Sequence, residues 1–332
     1  MPGTRRRSAA ALGVLVLALS GCAGAEASEH ASSGSGGVPS YPLTVTNCGE
    51  EVVFEAAPER VILLESAPVT ILDGLGVLDR VVSRAGTFPA DYYDADLADR
   101  IGQIETLSDD LDASGHLTMS IEVVLAQAPD LALGLPQGIS RAALLQSGTN
   151  TLIQPVYCPS GVGDTSFETL YEEIMTYGRI FDRNDEADAL VAELRDRVAA
   201  VVAATADAPR RTAAVLYPSV GGGPLYAYGR ASMSQPQLEA AGFENVFADT
   251  AERVFEVSIE ELIARDPDVL VLLYQGSEAG VLDAVANLPG GEALRPLQND
   301  DVLVQLFNFT EPPTPLSITG LERIVERFGT GS

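Results

Sequence analysis

Two stretches far apart in this chain repeat one pattern, and that repetition constrains the fold more than any other feature. The first runs Ser120-Ile121-Glu122-Val123-Val124-Leu125-Ala126-Gln127-Ala128-Pro129-Asp130-Leu131. The second runs Ser258-Ile259-Glu260-Glu261-Leu262-Ile263-Ala264-Arg265-Asp266-Pro267-Asp268-Val269. Each opens on a capping-type serine, carries apolar residues at helical spacing, stops at Pro-Asp, and continues into an apolar run of strand length. Helix followed by buried strand, written twice, predicts two similar α/β halves.

The remaining segments fit that reading. A hairpin of 43–46 and 52–55 turns at Asn47-Cys48-Gly49. The run Val61–Leu64, a helix over 68–75 and a strand at Val81-Val82 form a strand–helix–strand unit, which requires parallel pairing. A helix over 140–146 leads to a strand over 152–156. In the second half, strands are expected over 213–217, 225–228, 269–274 and 302–306, and helices over 235–241, 258–265 and 319–328. Between the halves, Thr165-x-x-Glu168 reads as a capping box for a helix to Phe181. After Asp182-Arg183-Asn184 a longer helix continues to Ala204, with Leu190, Leu194, Val198 and Val201 at helical spacing. About 20 residues at ~1.5 Å each give a rod of ~30 Å. The expectation is an α/β protein of two Rossmann-like lobes with mostly parallel sheets, bridged by this single long helix. The N-terminal lobe would cover 43–163, the helical region 164–205 and the C-terminal lobe 208–328.

The N-terminus reads as an address. Arg5, Arg6 and Arg7 precede an apolar stretch, Ala9–Leu19, of secretory length and too short to span a bilayer. Leu19-Ser20-Gly21-Cys22 resembles a bacterial lipobox, so 1–22 reads as a lipoprotein signal whose processed chain starts at a lipid-bearing Cys22. Residues 23–40, rich in Gly, Ser and Ala, lack the apolar side chains that offset ordering entropy and read as a flexible tether. Cys48 and Cys158 remain; in an exported chain an even pair points to a disulfide, with two unpaired buried thiols as the alternative.

Composition removes several functions. Acidic residues number 47 against 20 basic, a net charge of −27. Such a surface repels phosphate backbones, so no nucleic-acid partner is expected. The chain has no lysine, which excludes a Walker A lysine, a Schiff base and a serine–lysine hydrolase. Its two histidines, His30 and His116, leave no histidine-rich metal site, and a Ser-His-Asp triad would have to use His116. Neither a Gly-x-Ser-x-Gly elbow nor a Gly-x-Gly-x-x-Gly turn after a strand occurs. No cofactor, resident metal or catalytic residue is expected. A surface hydrolase built from Glu65, Glu105 and Glu122 lacks any spacing signal, and a scaffold without a small ligand is the remaining alternative.

The "Ser-x-Glu…Pro-Asp-hydrophobic" pattern in both halves resembles the ABC-importer substrate-binding proteins for ferric siderophores, haem and cobalamin. Ala57-Pro58-Glu59-Arg60-Val61-Ile62 and Ala241-Gly242-Phe243-Glu244-Asn245-Val246-Phe247 are similar to two further segments of that family. The resemblance spans about residues 43–328, and departs from the family at 219–228 and 309–315. It implies a metal chelate, chiefly a ferric siderophore, held between two lobes, with a corrinoid or haem as the alternative. It also implies delivery by an anchored monomer to an ABC permease and its ATPase. Ligands of open parallel sheets sit outside the carboxyl ends of the strands. Those ends offer Glu65, Ser66, Arg84, Gln103 and Gln137 in the first lobe, and Tyr217, Tyr226, Tyr228, Arg230, Tyr274 and Phe307 around the second. Tyrosines give a broad apolar face with a polar tip, and arginine a bidentate donor for chelate oxygens. Each also has a plainer role, as strand-end packing or solvated charge; the plainer reading is preferred for Arg141 and His116. The resemblance further implies that Glu122 and Glu260, third in each Ser-Ile-Glu start, dock to the permease. A carboxylate in a first helical turn is equally a local stabiliser.

Overall fold

The computed structural model describes residues 41–110, 117–159, 161 and 163–329. The signal and tether segments with Cys22, and His116, lie outside the described residues. The described residues fall within one compact unit.

Hairpin strands β1 (Leu43–Asn47) and β2 (Glu50–Phe54) pair antiparallel. The first large sheet holds β3 (Val61–Leu63), β4 (Val81–Ala85), β5 (Glu105–Ser108), β6 (Leu131–Leu133) and β7 (Asn150–Leu152). Its order is β5-β4-β3-β6-β7 and every pair is parallel. Helices α1 (Val69–Gly74), α2 (Ala95–Gln103), α3 (Ile121–Ala126) and α4 (Arg141–Gln146) make the crossovers. The second sheet holds β8 (Arg211–Pro218), β9 (Leu225–Tyr228), β10 (Phe243–Asn245), β11 (Val254–Val257), β12 (Val269–Tyr274) and β13 (Val302–Leu306). There β8, β10, β12 and β13 are parallel, whereas β9 turns back antiparallel on β8 and carries β11 antiparallel at the edge. The expected mostly parallel character therefore holds in the first sheet throughout and in the centre of the second.

The repeated Pro-Asp does the same job in both halves. Asp130 accepts from the backbone N–H groups of Glu59 (2.8 Å) and Arg60 (3.0 Å), immediately before β3. Asp268 accepts from the Thr212 N–H (2.8 Å) and hydroxyl (3.0 Å), at the start of β8. Each aspartate follows its helix and satisfies the leading edge of the neighbouring central strand, so one local solution serves both sheets.

Helix α5 (Phe167–Phe181) opens on a capping box formed by Ser166 and Thr169. Thr165, expected in that role, instead donates to the Ala231 carbonyl at 2.6 Å. Helix α6 (Asn184–Thr205) follows with 22 residues, ~33 Å at ~1.5 Å each. Ala187, Leu190 and Leu194 pack on the first core, Val201 on the second and Val198 on both. The rod is not alone. In α11 (Pro315–Phe328), placed by sequence in the second lobe, Ile318 joins the first core while Leu321, Ile324 and Phe328 join the second. Helices α7 (Ser234–Ala240), α8 (Ile259–Arg265), α9 (Val281–Ala286) and α10 (Arg295–Asn299) complete the second half.

Candidate functional site

The carboxyl ends of the two sheets meet. Tyr92, in a 3-10 turn after β4, accepts from the Asn308 N–H at 3.0 Å, and its ring stands edge-on to Phe309 at 5.4 Å. The Asn308 amide donates to Ser66, just past β3, at 3.0 Å. Tyr92, Leu306, Phe309 and Leu316 form a small core, with Tyr93 and Tyr274 against it. Gly320 allows this joint: a Cβ there would lie 1.6 Å from the Phe309 carbonyl oxygen. Helix α11 thus lies flush against the turn Phe307–Phe309 that forms the second-lobe rim.

On the first-lobe side, the Arg84 guanidinium sits 4.9 Å from the centre of the Phe88 ring, and its Nε is buried without a partner. Burial lowers the Arg84 pKa, against the opposing pull of Tyr93 and Asp109. The Tyr93 hydroxyl is also buried and unpaired, and burial pushes its pKa up. Arg84, Phe88 and Tyr93 are each half-buried, the state of a wall. The facing second-lobe wall carries half-buried Tyr217, Tyr226, Tyr274 and Phe307; Tyr217 lies opposite Tyr226 in the β8–β9 ladder and edge-on to Phe307 at 6.0 Å.

A buried charged layer lies alongside. Glu311 is fully buried and accepts from the Met233 N–H (2.7 Å) and from Arg253 (3.1 Å). Burial raises the Glu311 pKa, partly offset by Arg253 and that N–H. Arg253 also lies 5.4 Å over the Tyr157 ring, joining the lobes. Tyr157 is 36 % exposed, yet its hydroxyl is surrounded by protein and its pKa rises well above the ordinary value through burial, Glu311 and Glu65. Glu65 is half-buried as a residue, but its Oε1 is out of solvent and unpaired, and burial raises its pKa to about 7. Gly134 (φ +96°) faces it: a Cβ there would lie 3.1 Å from the Glu65 Cγ.

The structure thus gathers Glu65, Ser66, Arg84, Tyr217, Tyr226, Tyr274 and Phe307 at the strand ends, with Gln137 exposed in the loop after β6. Three expected residues stand elsewhere. Gln103 ends α2 at the amino edge of β5, because the crossover helix carries it back across the sheet. Tyr228 is 3 % exposed within the second core, since β9 runs inward from Tyr226. Arg230 is exposed and paired with Asp164 at 3.0 Å. Sequence reasoning missed Tyr92, Tyr93, Tyr157, Arg253 and Glu311. Tyr157 alone had a usable signal, following directly on an expected strand. Glu122 and Glu260 are exposed in the first turns of α3 and α8. Glu122's own backbone N–H and Ser120 hold its pKa below the usual carboxylate range. Cys48 and Cys158 are bonded, with Cα atoms 5.0 Å apart, tying the hairpin turn to the segment after β7.

Three further cavities lie away from this joint: beneath the hairpin, between α5 and α6, and behind the loop 218–225. The strand-end joint is the better candidate for the main site, because there the unpaired first-lobe groups of Glu65, Arg84 and Tyr93 meet the aromatic wall of the second lobe.

Residues 61–304 match the family described as "Periplasmic binding protein". A solved structure described as an ABC-type Fe3+-hydroxamate transport system from Saccharomonospora viridis is 59 % identical, with a TM-score of 0.83 over 88 % of this chain and 100 % of that one. A periplasmic binding protein from Veillonella parvula, 19 % identical, shares the fold with a TM-score of 0.71 over 87 % of this chain and 98 % of that one. A cobalamin-binding protein of Halobacterium salinarum is 30 % identical over 257 residues, 75 % of this chain; the chain spans 62 % of that relative's length. This chain belongs to the periplasmic binding protein family.

Proposed function

We propose that this member of the periplasmic binding protein family captures a ferric hydroxamate siderophore between its two strand-end walls and hands it to an ABC permease. The observation that carries the reading is the 59 % identity, over the whole of that chain, to the protein described as part of an Fe3+-hydroxamate transport system. The local chemistry supports it. Arg84, with a free buried Nε beside Phe88, offers a donor and a cationic face to chelate oxygens, and the tyrosine wall offers apolar area to a ligand backbone. In this reading the chain is extracytoplasmic and monomeric, held by a lipid on Cys22, with lobes over about 43–163 and 208–328, and it catalyses nothing. Glu122 and Glu260 present one carboxylate each to the permease. A corrinoid is the second reading, favoured by the 30 % identity to the Halobacterium protein.

The test is a titration of the purified protein with a ferric trihydroxamate, the same iron-free ligand, cobalamin and haem, read by calorimetry. Preferential saturable binding of the ferric chelate, weakened by Arg84→Ala, is expected. Binding of cobalamin alone would establish the second reading, and binding of none would refute both.

A further inference from the structure

Beneath the hairpin lies a cavity of about 360 Å³, away from the strand-end walls. Val45, Leu152 and Pro155 supply apolar lining, and α5 presents Glu172, Glu173 and Tyr177. The size falls at the small end of ligand pockets, about 300–1,000 Å³. Glu172 and Glu173 are its only charged lining groups. Glu173 is 7 % exposed and its Oε2 has no hydrogen-bond partner. The Gln154 amide nearby, 1 % exposed, also completes no bond of good geometry.

The contrast with Glu311 is instructive. That carboxylate is also buried but receives Arg253 and a backbone N–H. Glu173 has no comparable cation. Burying a carboxylate without a partner costs several kcal/mol and drives it to the neutral form. We propose that this cavity is a second binding site, for a small primary alkylammonium ion, with Glu173 as its buried counter-ion. The ammonium pairs with the Glu173 carboxylate, the alkyl chain lies on Val45, Leu152 and Pro155, and Glu172 sits at the rim. An organic cation fits better than a metal: among the described residues no group of three carboxylate, histidine or cysteine side chains gathers.

Entry of the ion changes protonation. Burial, and then the charge of Glu65 beyond β3, raise the Glu173 pKa well above the ordinary value, while Gln154 pulls the other way. Tyr177, whose own pKa is raised by burial, Glu173 and Glu65, is the other titrating group facing it. Burial therefore favours the neutral form of this carboxyl in the free cavity. Binding R–NH3+ expels the carboxyl proton to solvent and leaves an ion pair, so affinity rises with pH as less work is needed to remove that proton.

The experiment is calorimetric titration of the full chain at pH 8 with n-butylammonium chloride, and with 1-butanol as an uncharged chain of equal length. No chelate is added, so the outcome is independent of the siderophore reading. The titration is repeated in two buffers of different ionisation enthalpy and with Glu173→Gln and Glu172→Gln. Expected are one saturable site for butylammonium, a buffer-dependent heat that reports proton release, and affinity more than about tenfold weaker in Glu173→Gln. Loss in Glu172→Gln is expected to stay within about threefold, since a rim charge is screened. Absence of saturable binding, equal binding of butanol, or unchanged affinity in Glu173→Gln overturns the proposal. Should that variant fail to fold, proton release in the unsubstituted chain decides: binding without it overturns the proposal.

Discussion

Glu65→Gln is expected to stabilise the folded chain at alkaline pH and to do so less as pH falls. The Glu65 carboxyl sits at the end of β3 with Oε1 buried and unpaired, and burial moves its pKa from 4.5 to about 7. The groups around it do not relieve the cost: Tyr157, Tyr177 and Glu173 all feel its charge as one that raises their own pKa values. A raised folded pKa means that the folded state holds a proton the unfolded state has released. Its contribution is complete below pH 4.5 and is lost as pH climbs through 7. Over the full span that amounts to ~3 kcal/mol at ~1.4 kcal/mol per pH unit. Between pH 5 and pH 8 the same linkage gives about 2.5 kcal/mol, an upper figure because the site can admit water. Gln keeps the shape and cannot ionise. Urea unfolding of both proteins, followed by circular dichroism at pH 5 and pH 8, measures the difference. The general pH response of a chain with net charge −27 is common to both and cancels. If the stability gap between variant and parent is the same at the two pH values, Glu65 does not titrate as a buried acid and the description of this pocket is wrong.

Reducing Cys48–Cys158, which closes a separation of 110 residues, should lower stability by up to about 4 kcal/mol; matched denaturation of the oxidised protein and the Cys48→Ala/Cys158→Ala form reads it, and equal midpoints would show that the bond constrains nothing. Gly320→Ala, ordinarily a gain of about 1 kcal/mol inside a helix, should here destabilise by about 1–3 kcal/mol, because its Cβ would meet the Phe309 carbonyl at 1.6 Å. A raised melting temperature for that variant would contradict the close approach of α11 to the rim. Glu122→Ala with Glu260→Ala should leave chelate binding by the purified protein within about twofold while reducing uptake into cells; normal uptake would leave both as helix-start residues only.

How much of this was legible in the chain depended on where each residue sits. Strands β8, β9, β12 and β13 and the long helix were readable because burial on both faces, or on one stripe, writes a continuous or periodic apolar code. The short pieces were not. Strand β5, Glu105–Ser108, has no buried residue, and β10 is three residues long, so neither carries a pattern to detect. Thr165 and Ser166 both suit an N-cap, and only the tertiary bond from Thr165 to Ala231 decides which takes it.

The candidate site divides the same way. Residues on the strand ends, such as Ser66, Arg84 and Tyr217, follow from knowing where a parallel strand stops. Tyr228 shows the limit of that rule. It shares a face with Tyr226 by alternation, yet two residues along an antiparallel strand separate a half-buried rim from a core position at 3 % exposure. Tyr92, Arg253 and Asn308 sit on irregular segments whose direction is set by partners from the other lobe: Asn308 for Tyr92, Tyr157 for Arg253, Ser66 for Asn308. No local pattern encodes a partner so far away along the chain. The contacts that join the lobes are therefore the ones sequence reasoning is least able to find. They are also contacts that any separation of the walls must break, together with the small apolar core of Tyr92, Leu306, Phe309 and Leu316 that the two lobes share at this joint.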